Sequence, residues 1–480
     1  MPEIKNTFVQ GKMNKDLDER LLPNGEYRDA MNIQVTTSEG SDVGTVQNVF
    51  GNERISDGIN NSDFKCIGSI TDEKNDTIYW FVTNKIDNID AILEYKKDLT
   101  VTPIFIDTTS SVLKFPDRII TGINIIDDFL FWTDSINEPK KISISRCKQG
   151  TTGTIDNPSN TKLIVNDEVV KDADGNDVEV AERNITVIKK KPTSPPNVKI
   201  NLTSATTKPS LFEKTFCRFA YRYKYEDGEY SAFGPFTDIV FNPTYPNGID
   251  SDTVLSVKEP YNRAMVSSID SIDIYDFVSP DIPNDVVQVD ILYKQENSPV
   301  VFSIASVKPD DPVPTGYQYN YWNDFGFNQN NAAYTNSGYK GKYPIVSENI
   351  YAAVPSNQLL RPWDNVPKKA LAQEVTGSRI VYANYTQNYD LGVTPGLSVD
   401  YINRDQYQPS DFSLGGVRSL KSQRNYQLGV IFGDEYGRET PVFTSTDGAV
   451  KIPWEKGGML SASQSYQLKT HLNFEHERQY

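Results

Sequence analysis

"LFWTDSINEPKKISI", residues 130–144, reads as a strand that ends on Trp132, Thr133 and Asp134, then a turn and a second strand. Its first half has a counterpart upstream. Residues 68–83, GSITDEKNDTIYWFVT, and residues 122–134, GINIIDDFLFWTD, each run through a glycine, an alternating apolar step, an acidic turn and an apolar strand carrying Trp80 or Trp132. A fainter third copy, VTGSRIVYANYTQNY at 375–389, has Gly377 in the turn and Tyr382 where the tryptophan stood. Two strands joined by an Asp-rich or Gly turn, with an aromatic in the second, are the sequence form of a β-propeller blade, a four-stranded sheet packed on its neighbour. Trp80 and Trp132 lie 52 residues apart, near the length of a blade of about 40–50 residues. Packing between blades is the role expected of both tryptophans.

A second repeat is clearer. CRFAYRYKYEDGEYSAFGPFTDIVF (217–241) and RNYQLGVIFGDEYGRETPVFT (424–444) share an alternating strand, an acidic turn, a tyrosine, a small polar stretch, a proline and another strand. Asp227 aligns with Asp434, Tyr230 with Tyr436 and Pro235 with Pro441. Alternation places Phe219, Tyr221, Tyr223 and Tyr225 on one face, which must be buried or covered by a partner. Hairpins of this kind occur in fibronectin-III-like and immunoglobulin-like β-sandwiches.

Boundaries follow from proline and charge. KKKPTSPPNVKI (189–200) is a basic, proline-rich segment that cannot be central strand, because proline lacks a donor, and it reads as a solvated hinge. The expected organisation is all-β: an amino-terminal docking segment and first blades over 1–194, an inserted sandwich module over 195–310, a propeller continuation over 311–410, and a second sandwich module over 411–480. A short helix or turn is expected near 364–374. After VKIPW only SYQLKTHLNF reads as a further strand, fewer than a sandwich needs; either the natural chain continues or a neighbouring subunit completes the sheet.

The bulk numbers agree with this reading. With 480 residues, 27 Tyr, 22 Phe, 29 Gly and 28 Pro, the chain is built for several units of short, turn-punctuated strands. A formal net charge of −16 opposes wrapping of a nucleic acid; an acidic surface suits passage of DNA better than binding, and it equally suits solubility alone. Cys66, Cys147 and Cys217 form no CxxC pair and are expected to be buried small residues. The polar amino terminus lacks a signal-peptide core, and no apolar run is long enough to span a bilayer, so a soluble protein made in a cytoplasm is expected.

Signs of chemistry are few. No G-x-S-x-G, P-loop or G-x-G-x-x-G pattern occurs. His471 and His476 are the only histidines, and with Glu475 and Glu477 they lack further ligands at suitable spacing. DADGNDVEV (172–180) alternates like a calcium loop but has Asp177 at the glycine position, so a hairpin turn is expected. No catalytic, cofactor-binding or metal residue is assigned. A carboxylate pair for glycoside hydrolysis is not singled out among the 64 acidic residues.

Four passages together resemble the tail nozzle proteins of short-tailed phages, variously called tail tubular, muzzle or stabilisation proteins, including those of crAss-like phages. They are GKMNKDLDERLLPNGEYRDAMNIQVTTSEGSDVGTVQNVFGN (11–52), YRYKYEDGEYSAFGPF (221–236), LLRPWDNVPKKALAQEVTGSRIVYANY (359–385) and NYQLGVIFGDEYGRETPVF (425–443). The resemblance implies a non-enzymatic virion tail subunit, six to a ring, placed below portal and adaptor and contacting other tail proteins. It further implies a channel that retains packaged genome and lets double-stranded DNA out without binding its sequence, assembled in the host cytoplasm. Tyrosine-rich strands such as 219–230 are expected at the subunit interface. A receptor- or glycan-binding propeller with sandwich modules is the alternative expectation, and a propeller glycosidase a third.

Overall fold

In the computed structural model the described residues are 10, 12–37, 44–49, 51, 63–96, 100–202, 210–213, 215–241, 243–244, 266–267, 269–325, 338–348, 352–359, 366–377, 379–387, 396–403, 420, 423–452 and 466–473. They fall into two units, residues 1–59 and 60–480. The chain is strand-rich, as the alternation predicts.

In the first unit a single 3-10 turn, Glu19–Leu21, starts on Asp18, whose carboxylate accepts from Arg20 N at 3.0 Å. Strands β1 (Ile33–Thr37) and β2 (Gly44–Asn48) pair antiparallel, with Val35 opposite Val46.

The second unit opens with two meanders. β3 (Lys65–Asp72), β4 (Thr77–Asn84), β5 (Ile89–Lys96) and β6 (Val101–Asp107) form an antiparallel sheet in chain order. β7 (Gly122–Ile126), β8 (Phe129–Thr133) and β9 (Lys140–Ser143) form a second. Short acidic or amide side chains close the turns, satisfying amides that no ladder reaches. Asp72 accepts from Lys74 N and Asn75 Nδ2, Asn84 from Ile86 N and Asp87 N, and Asp134 from Ile136 N and Asn137 N. The two sheets share one core, in which Phe81, Phe115 and Trp132 meet edge-on or tilted with centroids 5.4–6.2 Å apart. Helix α1 (Ile144–Gly150), strands β10 (Ile164–Val165) and β11 (Glu168–Val169), and the short helix α2 (Glu182–Ile185) complete this region. The DADGNDVEV loop is a turn in which Asp172 accepts from Asp174 N and Asn176 N, so its carboxylate is engaged by backbone.

A β-sandwich follows. β12 (Asn197–Leu202), β16 (Ile269–Val278) and β19 (Lys340–Ile345) make one sheet; β13 (Cys217–Tyr225), β17 (Val286–Gln295), β18 (Val301–Val307) and β20 (Ala352–Ala353) make the other. Between β13 and β16, the two-residue strands β14 (Pro243–Thr244) and β15 (Val266–Ser267) pair with each other. The sheets therefore draw strands from beyond residue 310, the expected end of this module. Phe219, Tyr221, Tyr223 and Tyr225 all point into the core between the sheets and are at most 2% exposed. They are filled by the chain's own β16 and β17, which corrects the expectation that they face another subunit. The edge of β13 is also covered. Ser231, Gly234, Thr237 and Val240 donate to Tyr223, Tyr221, Phe219 and Cys217 in turn, three residues of the cover for every two of the strand, so the outer segment bulges continuously and offers no regular edge for further pairing.

Where a short helix or turn is expected near 364–374, the chain is strand from Lys369 onward. A four-residue helix, α3, occupies Ser356–Leu359, and β21 (Lys369–Thr376) pairs with β22 (Arg379–Thr386) around the third repeat's Gly377. Helix-forming alanines are overridden by docking: β21 lies against β7 and β8, and Thr133 Oγ1 donates to Ala370 O at 2.7 Å. A Cβ on Gly122 would sit 2.9 Å from Thr133 Cγ2 and 3.2 Å from Gln373 N, so only glycine permits this approach. Finally β23 (Gly396–Asn403) pairs with β26 (Tyr466–Asn473), and β24 (Asn425–Val430) with β25 (Phe443–Lys451).

Two smaller expectations are corrected. Cys66 is exposed rather than buried, while Cys217 lies in the sandwich core. Lys189, expected in a solvated hinge, is buried. Among the described residues no helix is long and apolar enough to cross a membrane, and no cluster of His, Cys, Asp and Glu could hold a metal. His476, Glu475 and Glu477 lie outside the described residues.

Candidate functional site

The passage at 130–144 is a hub. Trp132 fills the meander core, Thr133 holds β21, and Asp134 closes the turn. From Glu138 onward its charged side chains reach distant segments. Lys140 is buried and donates to Val112 O at 2.6 Å and Leu113 O at 2.8 Å, with Glu182 3.2 Å away. Burial lowers its pKa, because a charge without water is disfavoured. Lys141, next in the strand, points the other way. It meets Asp227 and Glu229 of the sandwich turn, both at 2.8 Å, and lies over the Phe129 ring. Arg146 on α1 also pairs with Asp227. Burial acts to raise the Asp227 carboxyl, but Lys141 and Arg146 outweigh it and hold it below the ordinary aspartate range.

The carboxyl-terminal hairpin grips the same strand from another direction. Arg438 is buried, reaches Glu138 at 2.5 Å, and is steadied by Asp434, also at 2.5 Å. Glu138 has its pKa raised by burial, with Arg438 opposing. Tyr436 lies beside Glu138 and Thr186, and burial raises its hydroxyl's pKa.

The backbone shows how the two turns correspond. Tyr225 N donates to Glu229 O as Asp434 N does to Arg438 O; Gly228 N donates to Tyr225 O as Gly437 N does to Asp434 O. Tyr223 N donates to Ser231 Oγ as Phe432 N does to Thr440 Oγ1. Gly228 and Gly437, at φ of 79° and 87°, occupy the same left-handed position. By these bonds Tyr225 matches Asp434 and Glu229 matches Arg438, so the alignment of Asp227 with Asp434 is shifted by two residues. The matched residues Glu229 and Arg438 carry opposite charge, and each meets its opposite on the same strand approach, Lys141 and Glu138.

Linker lysines seal the junction. Lys189 reaches Asp285 at 3.3 Å and sits over the Tyr225 ring, whose hydroxyl donates to Lys190 O. Lys190 meets Asp281 at 2.6 Å, and Lys191 N donates to Glu435 O. A cavity of about 40 Å³ beside Lys141, Arg146, Asp227, Asn184 and Asp285 has room for about one or two waters.

Of the residues singled out by repeats, the structure gathers Asp227, Asp434 and Tyr436 around this junction, while Tyr382 lies on β22, where burial raises its hydroxyl's pKa. Tyr230 stacks on Arg222 within the sandwich, 3.9 Å from guanidinium to ring. Pro235 and Pro441 are exposed, and Trp80 stands apart, half-buried against Tyr95. Lys141, Arg146, Glu138 and Arg438 were not anticipated. Their one sequence signal is Lys140–Lys141 at the head of the short strand KKIS, where adjacent lysines point to opposite faces and each must find a partner on its own.

This arrangement fixes segments in place. No curated protein and no solved structure matches the chain. A family model described as Crassvirus muzzle protein matches residues 3–258, a span that takes in both meanders, the junction strand and the first sandwich turn. With more than half its length so matched, and with the resemblance of the four passages agreeing, the chain belongs to the Crassvirus muzzle protein family.

Proposed function

We propose that the protein is a structural, non-enzymatic subunit of a phage tail nozzle, located in the virion tail and associated with other tail proteins. The observation that carries this reading is the family match, joined to a strand-rich body whose buried charges are spent on fixing segments to one another. In this reading copies close into a ring, six by resemblance, that surrounds part of the DNA-exit channel below the portal and adaptor and helps retain the packaged genome. The net charge of −16 supports passage of DNA over tight holding. The two meanders act as propeller-like blades, packed through Trp132, and the paired sheets over 197–353 serve as a sandwich module of the fibronectin-III type. Assembly takes place in the host cytoplasm. Mass measurement of the assembled particle tests the ring: a closed multiple of the chain is expected, and a monomer at all concentrations in the presence of its tail partners would refute it.

A further inference from the structure

We propose that the junction around residues 138–146 is an articulation, a seam of ion pairs that parts as a unit while the apolar cores on either side remain folded. The core of the meanders and the core of the sandwich have no residue in common. What joins them is charge: Lys141 to Asp227 and Glu229, Arg146 to Asp227, and Lys189 to Asp285. The carboxyl-terminal hairpin joins in the same way, through Arg438 to Glu138.

Such contacts differ from an apolar core in how they yield. Withdrawing charges from water offsets most of what their attraction returns, so a buried ion pair adds little net stability while it demands one geometry. A core of Phe219, Ile272 and Ile291, all fully buried, instead loses its whole hydrophobic contribution on opening. Packing is also looser at the seam. Glu138 Oε2, Asn184 Nδ2 and Asp285 Oδ1 are enclosed there without a hydrogen-bond partner among the described residues, and Asn184 and Asp285 line the cavity together with Lys141. The opposite polarity of Glu229 and Arg438 lets each turn reseat only on its own site after opening, since like charges would meet in the exchanged arrangement.

Hydrogen exchange on the full chain, followed by mass spectrometry, tests this. Asn166 N also crosses the seam, donating to Glu226 Oε1 at 3.1 Å, and in the wild-type protein peptides covering Asn166, Lys191, 225–230 and 434–439 should open together, about tenfold faster than peptides of β8 and β17. Lys141→Met and Glu138→Gln should each accelerate all four seam peptides and leave β4, β8 and β17 unchanged. Seam and core peptides exchanging at one common rate in the wild type would overturn the proposal, as would acceleration confined to the neighbourhood of each substitution. The wild-type comparison decides the matter even if a variant fails to fold, and neither result depends on ring formation.

Discussion

Replacing Trp132 by alanine separates the two tryptophans that look alike in sequence. Trp132 is 1% exposed and meets Phe81 at 5.6 Å and Phe115 at 6.2 Å, both edge-on. Truncating a large buried aromatic costs about 3–5 kcal/mol, of which the lost ring pairs account for about 0.5–1.5 kcal/mol each. Trp80 sits on the opposite face of its own sheet, half-buried, with one stacked neighbour, Tyr95, at 6.0 Å. Its removal should cost only about 1–2 kcal/mol, the loss of one ring contact and partial burial. At about 2–4 °C per kcal/mol, the Tm falls by roughly 6–20 °C for Trp132→Ala and by only about 2–8 °C for Trp80→Ala. Scanning calorimetry is the suitable assay, because both substitutions remove a fluorophore. Equal shifts for the two variants would refute the assignment of Trp132 to the shared core and Trp80 to an outer face.

Gly122→Val should force β21 away from β7, at about 1–3 kcal/mol, and limited proteolysis should then cut within 366–387 in the variant before the wild type; an unchanged digest contradicts the close approach. Asp227 is held below its unfolded value, so its stabilisation is full above about pH 4, the unfolded aspartate value, and is lost as pH falls through the folded one. The Tm gap between wild type and Asp227→Asn should therefore narrow from pH 7 to pH 3, and a constant gap would count against the pairing with Lys141 and Arg146. A thiol reagent should modify exposed Cys66 at once, while Cys217, whose thiol burial pushes up to about 12, should react only on unfolding; rapid reaction of Cys217 would contradict its place in the core.

Strand content was legible because alternation and Asp or Gly turns are local properties: Phe219 to Tyr225, Asp72 to Thr77 and Gly377 all took the form their neighbours dictate. Pairing across distance was not. Alanines at 370 and 372 suggest a helix until β7 and β8 supply a docking surface, with Thr133 of β8 237 positions from Ala370. The tyrosines of β13 ask for a cover without saying whose, and β16 and β17 provide it. Likewise the repeated turns are visible in the sequence, but the Asp and Tyr letters suggest one alignment, whereas the backbone follows Gly228 and Gly437, the residues able to adopt the left-handed conformation. The junction is not legible in the sequence because a lysine's partner depends on tertiary placement: Lys141 and Asp227 are 86 positions apart in the chain.

The central claim, that this strand-rich chain is a structural part of the phage tail, is tested most directly by imaging purified virions in which the subunit carries an electron-dense label. Label at the tail below the portal vertex is the predicted result. Label on the capsid surface, or virions that lack it altogether, would contradict the account.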